Sequence, residues 1–173
     1  MATGDISLKF GATGDLTISP ENVASDTNLL SGVESNALDI ASLIGSGPVG
    51  DVLLGGKWTA GTSPTADRQV QVFAVGSIDG TIWPDVFDGT ASAETITTAN
   101  IKNAICKRVA TMVTDGTSNR TYHYGPVSLA ALFGGVLPPK IVLCVVHNTG
   151  VNSNSTGSNH KHTYQVVYEQ VAS

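Results

Sequence analysis

The residues whose spacing best suits metal chemistry are His160 and His162. One residue separates them, so an extended backbone would place both imidazoles on one face, as a transition metal requires. The sequence places no third ligand beside them, because His123 and His147 fall in other predicted strands. We therefore expect two exposed histidines at the edge of a loop, and we predict no metal site.

Residues suited to nucleophilic or acid-base catalysis do not form a recognisable pattern. No Gly-x-Ser-x-Gly stretch occurs, and the Gly-Ser-Asn-His stretch at 157–160 has no Asp positioned beside it. A paired-carboxylate site cannot be argued either, because the four glutamates are far apart in the sequence: Glu21, Glu34, Glu94 and Glu169. We predict that the protein is not an enzyme, with no catalytic residues and no cofactor.

The tripeptide Asp-Gly-Thr occurs three times, at 79–81, 88–90 and 115–117. Asp oxygens and backbone carbonyls could hold calcium, but the spacing matches no twelve-residue calcium loop. Asp and Gly both tolerate positive φ, so the same residues are ordinary turn formers. We predict three turns and no calcium.

The aromatic residues allow two interpretations. Aromatic residues make up only 6% of the chain, and four of them could form a platform on which a sugar stacks: Trp58, Trp83, Tyr122 and Tyr124. The alternative, which we favour, is that they lie in the core or anchor loops.

The composition favours strands and excludes several partners. The 173 residues include 19 Gly, 16 Ser and 19 Thr, and only 13% are charged, against roughly 25% in an ordinary soluble domain. Ser, Thr and Gly form helices poorly, whereas Thr suits strands. A net charge of −5 argues against nucleic acid as a partner. No apolar run approaches the roughly 18 residues of a membrane helix, so we expect no membrane contact.

Both cysteines, Cys106 and Cys144, have apolar neighbours. Residues 1–5 lack the features of a secretory signal, so we expect folding in a reducing cytoplasm and two free, buried thiols. Later oxidation to a disulfide stays open.

Short segments with strand character recur along the chain, separated by long polar loops. They lie at residues 36–44, 52–58, 68–75, 105–114, 121–124, 140–147 and 162–171. Residues 36–44 fit a strand or short helical turns equally well, and we prefer the strand. Residues 97–114 fit either one helix capped by Asn100 or a helical turn followed by a strand, and we prefer the second. The pattern predicts an all-β fold, an antiparallel β-sandwich of jelly-roll type.

The opening of the chain contains a short repeat: Ala-Thr-Gly-Asp precedes alternating apolar positions at 2–8 and again at 12–18. Each copy is typical of a turn that leads into a short strand. We predict an extended N-terminal arm over residues 1–22 and a β-sandwich domain over 23–173. As a hypothesis, the arm adds strands to a neighbouring subunit and uses alternate apolar side chains as anchors: Leu8, Phe10, Leu16 and Ile18.

Several short stretches are similar to small virion proteins of tailed bacteriophages that are encoded near the major capsid protein. They are Leu-Lys-Phe-Gly at 8–11, Gly-Asp-Leu-Thr-Ile at 14–18, Thr-Ser-Pro-Thr-Ala at 62–66, Trp-Pro-Asp-Val-Phe-Asp-Gly-Thr at 83–90, Gly-Pro-Val-Ser at 125–128 leading to Leu-Pro at 137–138, and His-Asn-Thr-Gly at 147–150. Such proteins are described as capsid decoration or cement proteins. The resemblance transfers no catalytic residue.

The resemblance implies a structural protein, made in the host cytoplasm, that binds the outer surface of the capsid in the virion and reinforces contacts between capsomers. Its partners would be the major capsid protein and itself, as a homotrimer. The alternative function is a carbohydrate-binding or adhesion module of a phage tail, fibre or baseplate, which would share the sandwich and display exposed aromatic side chains in a groove.

Overall fold

The computed structural model describes residues 5–43 and 49–171. Ten strands form in this part of the chain: β1 (Ile6–Asp15), β2 (Ser31–Glu34), β3 (Leu38–Asp39), β4 (Val49–Thr59), β5 (Gln69–Ser77), β6 (Ala93–Thr95), β7 (Lys107–Val113), β8 (Thr121–Ser128), β9 (Lys140–His147) and β10 (Lys161–Val171). Two short α-helices, α1 (Ala99–Ile105) and α2 (Leu129–Leu132), and two 3-10 turns, Ile40–Leu43 and Gly157–Asn159, lie between them. No helix of the described ranges is long and apolar enough to cross a membrane.

The strands form two antiparallel sheets. The first has the order β1-β10-β4-β8, and the second has the order β6-β2-β9-β5-β7, with β3 also paired to β9. The main core lies between them, because it combines inward side chains of both sheets, among them Val52, Leu54 and Trp58 of the first and Val72 and Val145 of the second. The prediction of an all-β, antiparallel, sandwich-like fold is confirmed.

A second apolar layer covers the other face of the larger sheet. Phe73, Val142 and Cys144 face this layer and pack with Phe87 and Ile96, which belong to the long connection between β5 and β7. Strand β5 is consequently buried on both faces. The sequence alternates Val70, Val72 and Ala74 with Gln69 and Gln71, which is typical of a strand with one face in solvent. The structure differs, because residues distant in sequence fold back over that face.

The ambiguous segment 97–114 forms a short helix followed by a strand, as preferred from the sequence. The side chain of Thr98 caps α1 by accepting the Ile101 N–H, so the cap lies two residues before Asn100. Cys106 ends the helix in an extended conformation, and β7 follows at once.

Two other segments differ from expectation. Residues 6–15 form one strand with an irregularity in its pairing between Phe10 and Thr13, rather than two short strands. Residues 36–43 contain only the two-residue strand β3 and a 3-10 turn, so the preference for a strand was largely wrong. Asp39 starts that turn by accepting the Ala41 N–H, a side-chain bond that competes with continued strand pairing. Residue 44 lies outside the described residues.

Candidate functional site

The two histidines singled out from the sequence lie inside the sandwich. His162 is only 1% exposed and His160 is 6% exposed. The prediction of two exposed histidines at a loop edge was wrong. The register of the strands explains the burial of His162. It pairs with Gly56 of β4, so its side chain lies on the inward face that also carries Leu54 and Trp58.

His147 and His160 lie close to the Trp58 ring, with centroid distances of 5.1 and 6.1 Å. Both imidazoles use both nitrogens. His147 Nε2 donates to the Val23 carbonyl at 3.1 Å and Nδ1 lies 3.0 Å from Thr149 Oγ1. His160 Nε2 donates to the Asn154 carbonyl at 2.9 Å, and its Nδ1 accepts the Thr59 N–H at 3.4 Å. Burial lowers the pKa of both, for His147 to about 4, so these neutral rings are structural.

His162 is bonded on one side only. Its Nδ1 lies 2.7 Å from the Tyr124 hydroxyl, whereas its buried Nε2 has no hydrogen-bond partner. Burial lowers its pKa to about 4. Within the described ranges, no cluster of three or more His, Cys, Asp or Glu side chains could hold a metal ion.

The Asp-Gly-Thr tripeptides form turns closed by their own carboxylates. Asp79 Oδ1 accepts the N–H of Thr81, Asp88 Oδ1 that of Thr90, and Asp115 Oδ1 that of Thr117, at 2.7 to 3.1 Å. The following glycines all have positive φ. The prediction of three turns is confirmed, and the Asp oxygens are occupied by backbone donors rather than aimed at a common centre.

Glu34 is the most unusual carboxylate of the described residues. It is fully buried, and its two oxygens accept the N–H groups of Gly89 at 2.8 Å and Asp88 at 3.3 Å. Burial raises its pKa to about 7, against these hydrogen bonds. The sequence carried no signal for this arrangement, because the donors lie more than fifty residues away.

The aromatic residues follow the core interpretation. Trp58 is fully buried, and Tyr122 and Tyr124 pack against the same core. Trp83 packs against the second layer and donates its Nε1–H to the Gly80 carbonyl. These four side chains therefore do not form an exposed stacking platform.

Both cysteines are buried and free, as predicted. Burial raises the pKa of Cys106 to about 11 and that of Cys144 further. These thiols are small apolar groups of the second layer rather than nucleophiles.

The four predicted interface anchors separate into two pairs. Leu8 and Phe10 project from β1 with 66% and 64% of their surface exposed, and Ile6, which the sequence argument did not select, is equally exposed. Leu16 and Ile18 instead pack against the chain's own core. β1 is an edge strand, bonded to β10 on one side. We call Ile6, Leu8 and Phe10, with the free side of β1, the β1 edge.

Comparison with known proteins identifies no relative: no family model matches the chain, and no curated protein or solved structure is significantly similar to it.

Proposed function

We propose that the protein is a structural protein of a bacteriophage virion that binds the outside of the capsid and reinforces contacts between capsomers. The β1 edge carries this proposal. It combines three exposed apolar side chains with a strand whose outer backbone groups have no neighbouring strand in the described part of the chain.

An unpaired edge strand is a template for pairing with another chain, and proteins usually protect it with charges, bulges or a covering segment. Residues 6–10 are regular, since the pairing irregularity comes only after Phe10. A partner strand could bond to this segment and cover the apolar side chains. Covering a Leu or Phe side chain contributes about 1.5–3 kcal/mol. With two thirds of each side chain exposed, Leu8 and Phe10 would each contribute about 1–2 kcal/mol.

The strand order supports a jelly roll. If β3 and β6 are set aside, eight strands remain, with the orders β1-β10-β4-β8 and β2-β9-β5-β7. We propose that these are the two four-stranded sheets of a jelly roll, an architecture found in viral capsid and lectin domains. This support is analogy at the level of the fold.

The remaining parts of the proposal concern assembly. Residues 1–22 would act as the contact arm in this sense: β1 stays paired with β10 of the 23–173 sandwich domain and presents its free side to a neighbour. The partners would be the major capsid protein and two further copies of this chain, in a homotrimer. A surface poor in charge suits such contacts, because short hydroxyl side chains lose less on desolvation than Lys or Glu.

The test is binding of the purified protein to phage capsids that lack it, measured by co-sedimentation. The variant Leu8→Ser/Phe10→Ser should weaken binding at least about tenfold, because the lost burial exceeds about 1.4 kcal/mol. Ile78→Ser/Ile82→Ser is the matched control, since both isoleucines are exposed but lie in the loop after β5. Unchanged binding by the β1 variant would refute the role of this edge.

A further inference from the structure

Three basic side chains lie in a row across the outer face of the four-stranded sheet. Lys161 of β10 is directly opposite Lys57 of β4, and Lys57 is directly opposite His123 of β8. Their strand neighbours His162, Trp58 and Tyr122 occupy the inward positions, so the three basic residues share the solvent side. We call Lys161, Lys57 and His123 the basic row.

Like charges directly opposite each other on neighbouring strands are destabilising. Asp15 relieves part of this repulsion, with its carboxylate 3.2 Å from Lys161 Nζ and also accepting the Thr163 hydroxyl. Lys57 has no ion-pair partner in the described part of the chain. Two lysines opposed at a local cost in stability, on a chain of net charge −5, indicate a binding surface rather than a stabilising feature.

The basic row borders a shallow groove of about 560 Å³. Gly55 and Gly125 leave part of its lining without side chains, and a Cβ on Gly55 would lie 3.3 Å from the Tyr124 carbonyl oxygen. Thr163 and Gln165 also line the groove. The groove therefore combines positive charge with a lining that glycines leave open, while the Thr163 hydroxyl and Gln165 Nε2 already donate within the chain, to Asp15 and to the Gly11 carbonyl.

We propose that this groove binds an extended acidic polypeptide segment whose carboxylates contact Lys57 and Lys161. Alternate side chains of an extended segment lie about 6.6–6.8 Å apart on one face, a separation that two long, flexible lysine side chains can match. The inference does not depend on capsid binding, because it concerns the isolated chain and a different part of the sheet from the β1 edge.

The groove's chemistry favours a peptide over the other polyanions. The rings of Tyr124 and Tyr164, which border the groove, pack toward the core and offer no stacking platform for a sugar. Nucleic-acid binding draws its affinity from many cationic contacts to phosphates, whereas this surface has two lysines and one histidine, with Asp15 beside them.

The test uses a fluorescein-labelled hexaglutamate peptide and fluorescence anisotropy at low ionic strength. Lys57→Gln should weaken binding about threefold, and Lys57→Gln/Lys161→Gln about tenfold, since each exposed charge pair contributes up to about 1 kcal/mol. Asp15→Asn should strengthen binding about twofold, because it removes the carboxylate that pairs with Lys161. The matched control is Lys107→Gln, which makes the same charge change on exposed β7 of the other sheet.

Equal affinity of wild type and the double variant would overturn the proposal. So would an equal loss in Lys107→Gln, because binding would then follow net charge alone. Labelled heparin hexasaccharide and oligothymidine are measured in parallel, and tighter binding of either through Lys57 and Lys161 would overturn the peptide as ligand. Leu8→Ser/Phe10→Ser should keep the peptide affinity, which separates this result from the test of the β1 edge.

Discussion

Lowering the pH from 7 to 5 should destabilise the folded protein, because His147 and His162 are buried in the neutral form. Burial lowers the pKa of each from the ordinary value of 6.5 to about 4. Below pH 6.5 the unfolded chain takes up protons at these positions, whereas the folded chain does not until about pH 4. The free energy of unfolding therefore falls as the pH falls through this window.

The size of the effect follows from the two pKa values. One pKa unit corresponds to 1.36 kcal/mol, so each histidine removes about 2 kcal/mol of stability between pH 7 and pH 5. His160, whose pKa burial also lowers, acts in the same direction. His147 and His162 together lower the free energy of unfolding by about 4 kcal/mol, a large part of the 5–15 kcal/mol typical of a domain.

Glu34 acts in the opposite direction. Burial raises its pKa from 4.5 to about 7, so the folded chain takes up a proton between pH 7 and pH 4.5 while the unfolded chain stays ionised. This carboxyl therefore contributes about 2 kcal/mol of additional stability by pH 5. The net loss expected for the wild type between pH 7 and pH 5 is about 2 kcal/mol.

The assay is urea unfolding at pH 7 and pH 5, followed by tryptophan fluorescence. Glu34→Gln removes the opposing carboxyl, so the free energy of unfolding of this variant should fall by about 4 kcal/mol between pH 7 and pH 5. Ile78→Ser is the control, because this exposed side chain carries no titratable group and its replacement should leave the wild-type pH dependence unchanged. A wild type equally stable at both pH values, with Glu34→Gln also unaffected, would show that these histidines and Glu34 are not buried in the folded protein.

Two further predictions concern charge and thiols. Lys57→Gln should raise the free energy of unfolding by about 0.2–1 kcal/mol at low salt, because it relieves repulsion with Lys161. This stabilisation should become smaller at high salt. Equal stabilisation by Lys107→Gln would contradict this explanation. Neither Cys106 nor Cys144 should react with a disulfide reagent at pH 8 until denaturant is added, because both thiols are buried and have raised pKa values. Fast labelling of the folded protein would contradict their burial.

The sequence predicted those strands whose pattern is local. Strands β4, β5, β9 and β10 lie where apolar runs or alternation placed them. These features depend on the periodicity of neighbouring side chains, which a single sequence displays directly.

The burial of polar groups could not be predicted, because it depends on residues distant in sequence. His147 is covered by Trp58 and bonded to the Val23 carbonyl, and Glu34 is bonded by the turn at Gly89. Each of these groups would be expected at the surface from its type alone. The second apolar layer was missed for the same reason.

The exposure of the predicted interface anchors also depends on pairing that the sequence does not display. The two copies of the opening repeat look alike, so the sequence treated Leu8 and Leu16 as equivalent anchors. The structure separates them, because β1 ends at Asp15 and the following residues, including Ile18, turn toward the core. Which copy of the repeat keeps its apolar side chains exposed depends on where β1 stops pairing with β10.

Whether this chain binds a capsid shell through the β1 edge, as we propose, can be decided by its copy number on particles. Capsids lacking the protein are incubated with wild type or with Leu8→Ser/Phe10→Ser, purified, and the bound chains per particle are counted by quantitative mass spectrometry. We expect hundreds of wild-type copies per particle and few copies of the variant. A handful of wild-type copies, or none, would contradict the proposal.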